Sequence, residues 1–482
     1  MRREVSLVSL SVLLFTSLLS ADEFPRRPED IDVKPLNFSP PSVKEEHLQN
    51  GATLFLLPDS ETPLIKLFII FRGGSMTDPP DKLGLSAFSV EMLKSGGCAS
   101  LSADELDERL DSLGAYFSFN SSTEHITFSL SALPEEFENA SRLLFDILTK
   151  PKFDSEALKS RKAVFIENLK RVYENSANIA TLLFKRALYS NSAFANPVDG
   201  LPDTISKIER EDLVSWHKKW LRPKNAFIGL TGPVNESSIA FVKELFGKWS
   251  AEGEGEKIPD VKAEEKTGMR IILYERKGLE QTVVLVGALS AERTHPERPS
   301  LDFLEYLLLT RVNLKVRNEY GLAYSAYATY QPCSKAGIFY AGAQTKTETA
   351  VESLRLMVEQ LRIAKTAFPS EDAMRCAKEH FVNSFVFRFA EKERALEELV
   401  WLKFYGFADD YLLKYCDRVR NFTPDVIVDA AAKFINTDAL VAVLVGEVSS
   451  LKNDLKKSFP SAKIQEVSSL FDVNECESNK KK

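Results

Sequence analysis

Histidine and cysteine are scarce in this chain of 482 residues, with five of each. The histidines, His47, His125, His217, His295 and His380, are isolated, none within five residues of another. A helical zinc site built on two closely spaced histidines is therefore excluded by inspection. The cysteines, Cys98, Cys333, Cys376, Cys416 and Cys476, contain no C-x-x-C pair. That removes zinc ribbons and thioredoxin-like redox motifs. An odd, scattered set is no disulfide framework either, although one bridge stays open. A net positive charge is also lacking: the net charge of −7 leaves no electrostatic footprint for a nucleic-acid binder. After residue 19 no apolar run reaches the roughly 20 residues needed to span a bilayer.

What is present is an ordinary globular composition, 44% hydrophobic and 27% charged, which argues against long disorder. The length exceeds the roughly 250–300 residues at which a single core stops growing, so two or more domains are expected.

The first 21 residues read as a secretory signal peptide. Arg2 and Arg3 precede an uncharged apolar run over residues 5–19, and Ser20-Ala21 supplies small residues before Asp22. Leu19 departs from the A-x-A cleavage pattern, so an uncleaved anchor is the alternative. No cysteine lies near the cleavage point, which argues against a lipoprotein. The mature chain is expected to be exported and soluble, and periplasmic if the cell is a Gram-negative bacterium.

The remainder is a duplication with an offset of roughly 215 residues, a period too long for a solenoid repeat. Phe153-Asp154-Ser155-Glu156 resembles Phe368-Pro369-Ser370-Glu371, each an aromatic residue and an N-cap ahead of a helical period. Helices are expected upstream of each, over 134–150 and 348–366. Each half opens with a strand pair, at 53–57 and 64–71 and again at 270–274 and 282–288. Each closes with an apolar strand, a turn and a helix, beginning near Ala226 and Ala439. Strands at both ends and helices between them indicate an α+β class: two homologous domains, each a mixed sheet with helices on one face. The boundaries are a signal peptide at 1–21, an extended proline-rich segment at 22–46 and an N-terminal domain at 47–249. A charged linker follows at 250–267, then a C-terminal domain at 268–465 and a polar tail at 466–482.

Five sequence elements stand in register along this frame. They are Asn50-Gly51-Ala52; Gly73-Gly74-Ser75-x-x-Asp78-Pro79 with Gly84-Leu85; Leu106-x-x-x-Leu110-x-x-x-Gly114-Ala115; Pro197-x-x-Gly200-x-x-x-x-Ile205; and Arg317-x-x-x-Gly321-Leu322-Ala323-Tyr324. In this order, from about residue 45 to 460, the chain resembles the pitrilysin/insulinase family of zinc peptidases. It is most similar to the half-length bacterial members that form two-subunit chambers. The resemblance implies that this chain is half of a clamshell chamber.

Active members of that family carry His-x-x-Glu-His on the helix after the Gly-Leu pair. Two histidines bind zinc, the glutamate activates water and a distant glutamate completes the site. Here the first histidine position holds Ala87, the general-base position Val90 and the second histidine position Glu91, with Glu167 where the distant ligand falls. Ala87 and Val90 have no lone pair to donate. Glu91 and Glu167 alone suit a hard cation better than zinc, and are more simply solvated or cleft-lining charges. No metal or cofactor is expected in this chain. Glu379-His380 shows half a motif without a second histidine, and His380 reads as an ordinary helix residue.

In the two-subunit members, the resemblance implies, the zinc-free chain supplies an arginine and a tyrosine that complete the partner's site. The matching residues are Arg317 and Tyr324. A helix over 301–318, stopped by Gly321, and a strand over 322–330 would let them converge beside the turn. A phenol can donate to a tetrahedral oxyanion and a guanidinium can hold a substrate carbonyl. The alternative pairs Arg317 with Glu319 and packs Tyr324 under the strand. Family chains often have a glycine- and serine-rich stretch ahead of this arginine; residues 307–313 here contain no glycine. Tyr320, Tyr327 and Tyr330 read as surface or packing residues.

Three functions follow. The first is a zinc-free subunit of an exported heterodimeric peptidase, with a zinc-binding homologous partner and unfolded peptide or protein as substrate. The second is an inactive peptide-binding or assembly scaffold. The third is a peptidase with a serine or cysteine nucleophile, for which Cys98 after Gly96-Gly97 is the visible thiol but no histidine base is indicated.

Overall fold

In the computed structural model, which describes residues 40–190, 192–251 and 267–470, the opening strands of each half are not neighbours. The first sheet contains β1 (Lys44–His47), β2 (Thr53–Pro58), β3 (Ile65–Arg72), β4 (Tyr116–Ser121), β5 (His125–Ala132) and β6 (Ala226–Gly232). Its order is β1-β2-β6-β3-β5-β4. The late strand β6 enters between β2 and β3, parallel to the first and antiparallel to the second, with Leu230 opposite both Leu56 and Leu67. The sequence supports this placement. Apart from Phe227, β6 is buried along its length, as a central strand covered on both faces must be. By contrast β5 alternates strictly between half-buried and buried residues, the signature of one covered face.

The helices of this half are α1 (Leu85–Ser95), α2 (Ala103–Ser112), α3 (Pro134–Thr149), α4 (Ser155–Val172), α5 (Ser176–Tyr189), α6 (Pro202–Ser206), α7 (Arg210–Trp220) and α8 (Glu236–Gly247). The expected cap of α4 is present: the Asp154 carboxylate accepts from the N–H groups of Glu156 and Ala157 at 3.0 and 2.9 Å.

The second half repeats the plan. Its strands are β7 (Arg270–Glu275), β8 (Gln281–Ser290), β9 (Ala323–Gln331), β10 (Gly337–Lys346), β11 (Val441–Gly446) and β12 (Lys463–Val467), in the order β12-β7-β11-β8-β10-β9. Its helices are α9 (Arg298–Asn313), α10 (Ala350–Ile363), α11 (Glu371–Phe385), α12 (Lys392–Tyr405), α13 (Tyr411–Arg420), α14 (Pro424–Phe434) and α15 (Lys452–Ser458). Ser370 caps α11, accepting from the Ala373 N–H at 3.2 Å. The repeats differ at one sheet edge. In the first sheet β1 precedes β2 and runs antiparallel to it; in the second, β12 comes from the chain's far end and runs parallel to β7. Residues 44–46, assigned from the sequence to the extended segment, thus belong to a sheet, as do residues 466 and 467 of the assigned tail. The signal-peptide segment, most of the charged linker and the end of the tail lie outside the described residues.

Each sheet also receives one helix from the other half. Helix α5 lays Ile179, Leu183, Phe184 and Ala187 against Ile272, Val283, Leu285 and Val443 of the second sheet. Helix α12 lays Ala395, Leu396, Val400 and Phe404 against Phe55, Leu57, Phe68 and Ile70 of the first. The two helices are counterparts: Lys392 follows Ser176 by 216 positions, and Arg270 follows Thr53 by 217. Fully burying a leucine, valine or phenylalanine side chain contributes about 1.5–3 kcal/mol, so each exchanged helix is a substantial tie between the halves. Helices on one face of each sheet were expected; the exchange, which covers the opposite faces, was not.

Candidate functional site

The Gly84-Leu85 pair starts α1, and its surroundings explain two of the five sequence elements. Gly84 has φ +88°, and a Cβ there would lie 2.5 Å from the Asp199 carbonyl oxygen. Gly200 approaches from the other side, where a Cβ would meet the Leu83 carbonyl oxygen at 2.1 Å. The buried Asp78 carboxylate accepts from the N–H groups of Gly84 and Ser86 at 2.8 and 2.9 Å, closing the helix N-terminus. Burial still pushes its pKa up to about 7. Asn50 serves α8, its amide donating to the Phe246 and Trp249 carbonyl oxygens at 2.7 and 2.9 Å. Asp78, Gly84 and Gly200 are scaffolding that fixes where α1 points, and Asn50 ties down the end of α8.

Helix α1 then presents Ala87, Val90 and Glu91 to a cleft of about 360 Å³ shared with β4, Phe165 and Asp199. Ala87 and Val90 are buried apolar residues and Glu91 is half-buried. Glu167 is not part of the lining; it is exposed on α4, with its carboxylate 3.4 Å from Lys170. Ala87 and Val90 offer no donor atom and Glu167 is paired with Lys170, so the residues present do not fit a zinc ion. Among the described residues no group of three His, Cys, Asp or Glu side chains could hold a metal.

Each histidine has other neighbours. His47 sits beside Thr53 and Glu45. His217 bonds the Leu148 carbonyl at 2.7 Å, and His295 Nδ1 accepts from the Glu297 N–H at 3.1 Å. His125 Nδ1 lies 3.1 Å from the Tyr405 hydroxyl, and His380 stacks on Tyr306 with ring centroids 4.5 Å apart. The Cys98 thiol is buried, and burial pushes its pKa up to about 11. It is a packed thiol rather than an activated nucleophile. Cys98, Cys333, Cys376 and Cys416 are all free.

The second candidate lies at the junction of α9 and β9. The expected helix over 301–318 ends its regular part at Asn313 and continues as a π-helical turn over Leu314–Glu319. The widening shows in the bonds: the Tyr320 N–H reaches back five residues to Lys315 O at 3.2 Å, and the Leu322 N–H six residues to Val316 O at 2.9 Å. Gly321 at φ +62° completes the reversal. Asn313 then ties helix to strand, donating to the Ala326 carbonyl at 3.1 Å. Such π turns occur frequently at functional sites. The glycine-free stretch 307–313 is regular helix.

This turn brings Arg317 and Tyr324 together, with the guanidinium carbon 5.4 Å from the ring centroid. Tyr324 is 89% exposed, and Arg317 is exposed too. Neither part of the alternative arrangement occurs. Glu319 is engaged by Lys315 at 2.5 Å, and Tyr324 stands out from the edge strand rather than under it. Among the described residues Arg317 has no carboxylate partner. Tyr330 is buried and donates to the Ala291 carbonyl at 2.9 Å; Tyr327 packs edge-on to Tyr340.

Sequence reasoning missed one polar cluster. Glu124, 8% exposed in the turn before β5, accepts from Arg293 Nη2 at 3.2 Å and from the Ser334 N–H at 2.8 Å. Arg293 also donates to the Pro332 carbonyl at 2.7 Å and lies 4.0 Å from the Tyr405 ring centroid. Its members come from remote parts of the chain, so no local spacing announces them.

The family signal agrees with this geometry. The model described as insulinase, peptidase family M16, matches residues 55–200, and that described as the peptidase M16 inactive domain matches residues 207–379. The chain is 25% identical over 346 residues to a protein of Bacillus subtilis strain 168 described as the uncharacterized zinc protease YmxG, covering 69% of this chain and 83% of the relative. It is also 25% identical over 301 residues to the non-peptidase homolog YmxG of Helicobacter pylori strain 26695, covering 61% and 68%. The crystal structure of a peptidase M16 inactive domain from Pseudomonas fluorescens superposes with a TM-score of 0.75 at 23% identity, over 84% of this chain and 98% of that one. With both family models in chain order, the duplicated sheet plan and the motif scaffold around α1, the chain belongs to the insulinase family of peptidases, M16, and its C-terminal half carries the family's inactive-type domain.

Proposed function

We propose that this chain is the zinc-free subunit of an exported heterodimeric metallopeptidase, and that it lends Arg317 and Tyr324 to the zinc site of a homologous partner. The observation that carries the reading is the exposed Arg317–Tyr324 pair, held at a π turn with no carboxylate on the arginine among the described residues. An exposed guanidinium in the π turn and an exposed phenol on the edge strand have little to do for the fold, since neither satisfies a buried group. Facing a partner's zinc-bound substrate, the phenol would donate to the developing oxyanion and the guanidinium would hold a backbone carbonyl. Zinc would belong to the partner, and unfolded peptide or protein would be the substrate. Among the described residues no helix is long and apolar enough to cross a membrane, which is compatible with a secreted subunit.

The test is reconstitution. The purified mature chain is assayed alone and with a homologous subunit carrying His-x-x-Glu-His, with zinc measured in both samples. Zinc and peptidase activity in the mixture alone support the reading. Tyr324→Phe should then lower turnover about 10²–10³-fold while assembly survives. Wild-type turnover in that variant rejects the role.

A second reading, a non-catalytic peptide-binding scaffold, is favoured by a separate observation. Among the described residues the outer edge of β4 has no strand partner, and it borders the α1 cleft, where an extended peptide could add as a further strand. Peptide binding without activity in either sample would select it.

A further inference from the structure

The two repeats place one aromatic residue differently. Phe153, just before α4, is 1% exposed and packs edge-on to His217 of α7, with ring centroids 6.1 Å apart. Its counterpart Phe368, 215 positions later (368 − 153) and just before α11, is 61% exposed. Helices α9 and α14 are the counterparts of α1 and α7, and beside them a pocket of about 420 Å³ is left. Its walls include Leu304, Leu307, Leu308, Ala367 and Ile427. That volume is within the range of small-molecule sites, about 300–1,000 Å³.

Arg311, in the last turn of α9, is the cation of this lining. It is half-buried, and among the described residues its guanidinium has neither a carboxylate nor a hydrogen-bond partner. Burial without a counter-ion holds its pKa below the ordinary value. Of the other polar side chains of the wall, Asp372, Thr310 and Ser370 are engaged elsewhere. Asp372 is bound to Arg375 at 3.3 Å. The Thr310 hydroxyl donates to the Tyr306 carbonyl at 3.0 Å, and the Ser370 hydroxyl caps α11.

A partly desolvated, unpaired guanidinium is the complement of a carboxylate. The apolar walls offer little to a peptide backbone, whose N–H and C=O groups would be buried unsatisfied, whereas an alkyl chain brings no such groups. We propose that this pocket binds a free fatty-acid anion, with the alkyl chain in the space that the counterpart of Phe153 would fill and the carboxylate on Arg311.

Cys376 supplies the readout, because it lines the pocket and its thiol is free and exposed. The full mature chain is titrated with sodium laurate below its micelle-forming concentration, and alkylation of Cys376 is followed by peptide mass spectrometry. Saturable protection, slowing alkylation at least about tenfold, is expected. Dodecyltrimethylammonium, with the same chain and the opposite charge, should not protect. Lauroyl lysophosphatidylcholine, the acyl chain without a free carboxylate, should protect far less. Arg311→Gln should weaken laurate binding about tenfold or more, and Arg311→Lys should retain most of it. The proposal is overturned by absence of saturable protection, by equal protection from the cationic amphiphile, or by unchanged laurate affinity in folded Arg311→Gln. Binding seen only in Phe368→Ser would also overturn it, since the chain's own phenylalanine would then be the occupant.

Discussion

Glu124→Ala should destabilise the protein by about 3 kcal/mol, although Glu124 touches neither candidate site. The carboxylate is buried, and it accepts both from Arg293 at 3.2 Å and from the Ser334 N–H at 2.8 Å. Breaking a buried ion pair costs about 3–5 kcal/mol because the surviving charge stays desolvated. Arg293 retains 21% side-chain exposure, the Pro332 carbonyl and the Tyr405 ring, which places the ionic loss below that range, at about 2 kcal/mol. The orphaned Ser334 N–H adds about 1 kcal/mol. Urea unfolding followed by tryptophan fluorescence reads the change as a lower midpoint at unchanged slope. Glu124→Gln keeps an oxygen for Ser334 and should lose about half as much. Adding Arg293→Met to Glu124→Ala should recover part of the loss, since no unpaired charge then remains. A loss under about 1 kcal/mol, the worth of an exposed pair, would refute the argument.

The exchanged helices predict that both halves unfold together, because neither sheet keeps its second face covered once the other half is lost; two resolved transitions in a calorimetric scan would contradict this. His125 predicts a pH dependence. Burial, with the Arg293 charge assisting, holds its imidazole down at about 4, so it stays neutral in the fold while the unfolded chain binds a proton near 6.5. The resulting stability is fully present above pH 6.5 and is lost as pH falls through 4, at most about 3 kcal/mol. His125→Phe should flatten that slope, and an unchanged slope would show that other groups produce it. For the zinc-motif cleft, placing histidine at positions 87 and 91 alone should not yield stoichiometric zinc by metal analysis, because the third-ligand position, Glu167, is exposed and paired with Lys170. Tight one-to-one zinc in that double variant would disprove the reading of the site.

Local chemistry made much of the fold legible. The caps Asp154 and Ser370 mark the helices they precede, and the apolar runs near 226 and 441 mark central strands. The loss of zinc chemistry could be read from Ala87 and Val90, since lone pairs are a property of residue type. The pairing of strands was less visible. An apolar run carries no address for its partner, so β2 and β3 looked adjacent although β6 separates them. The π turn was also hidden, because α9 has ordinary helical composition through Asn313.

The sequence by itself determined the class, the duplication, the family and the absence of the motif's histidines from α1, because each depends on residue identity over short spacing. Tertiary structure alone decided that α5 and α12 change places, that Glu124 meets Arg293, that Glu167 is exposed beside Lys170, and that Arg317 and Tyr324 face solvent together. These outcomes depend on which surfaces meet across more than a hundred residues of chain, and packing chooses them through the total area and charge buried rather than through any local pattern.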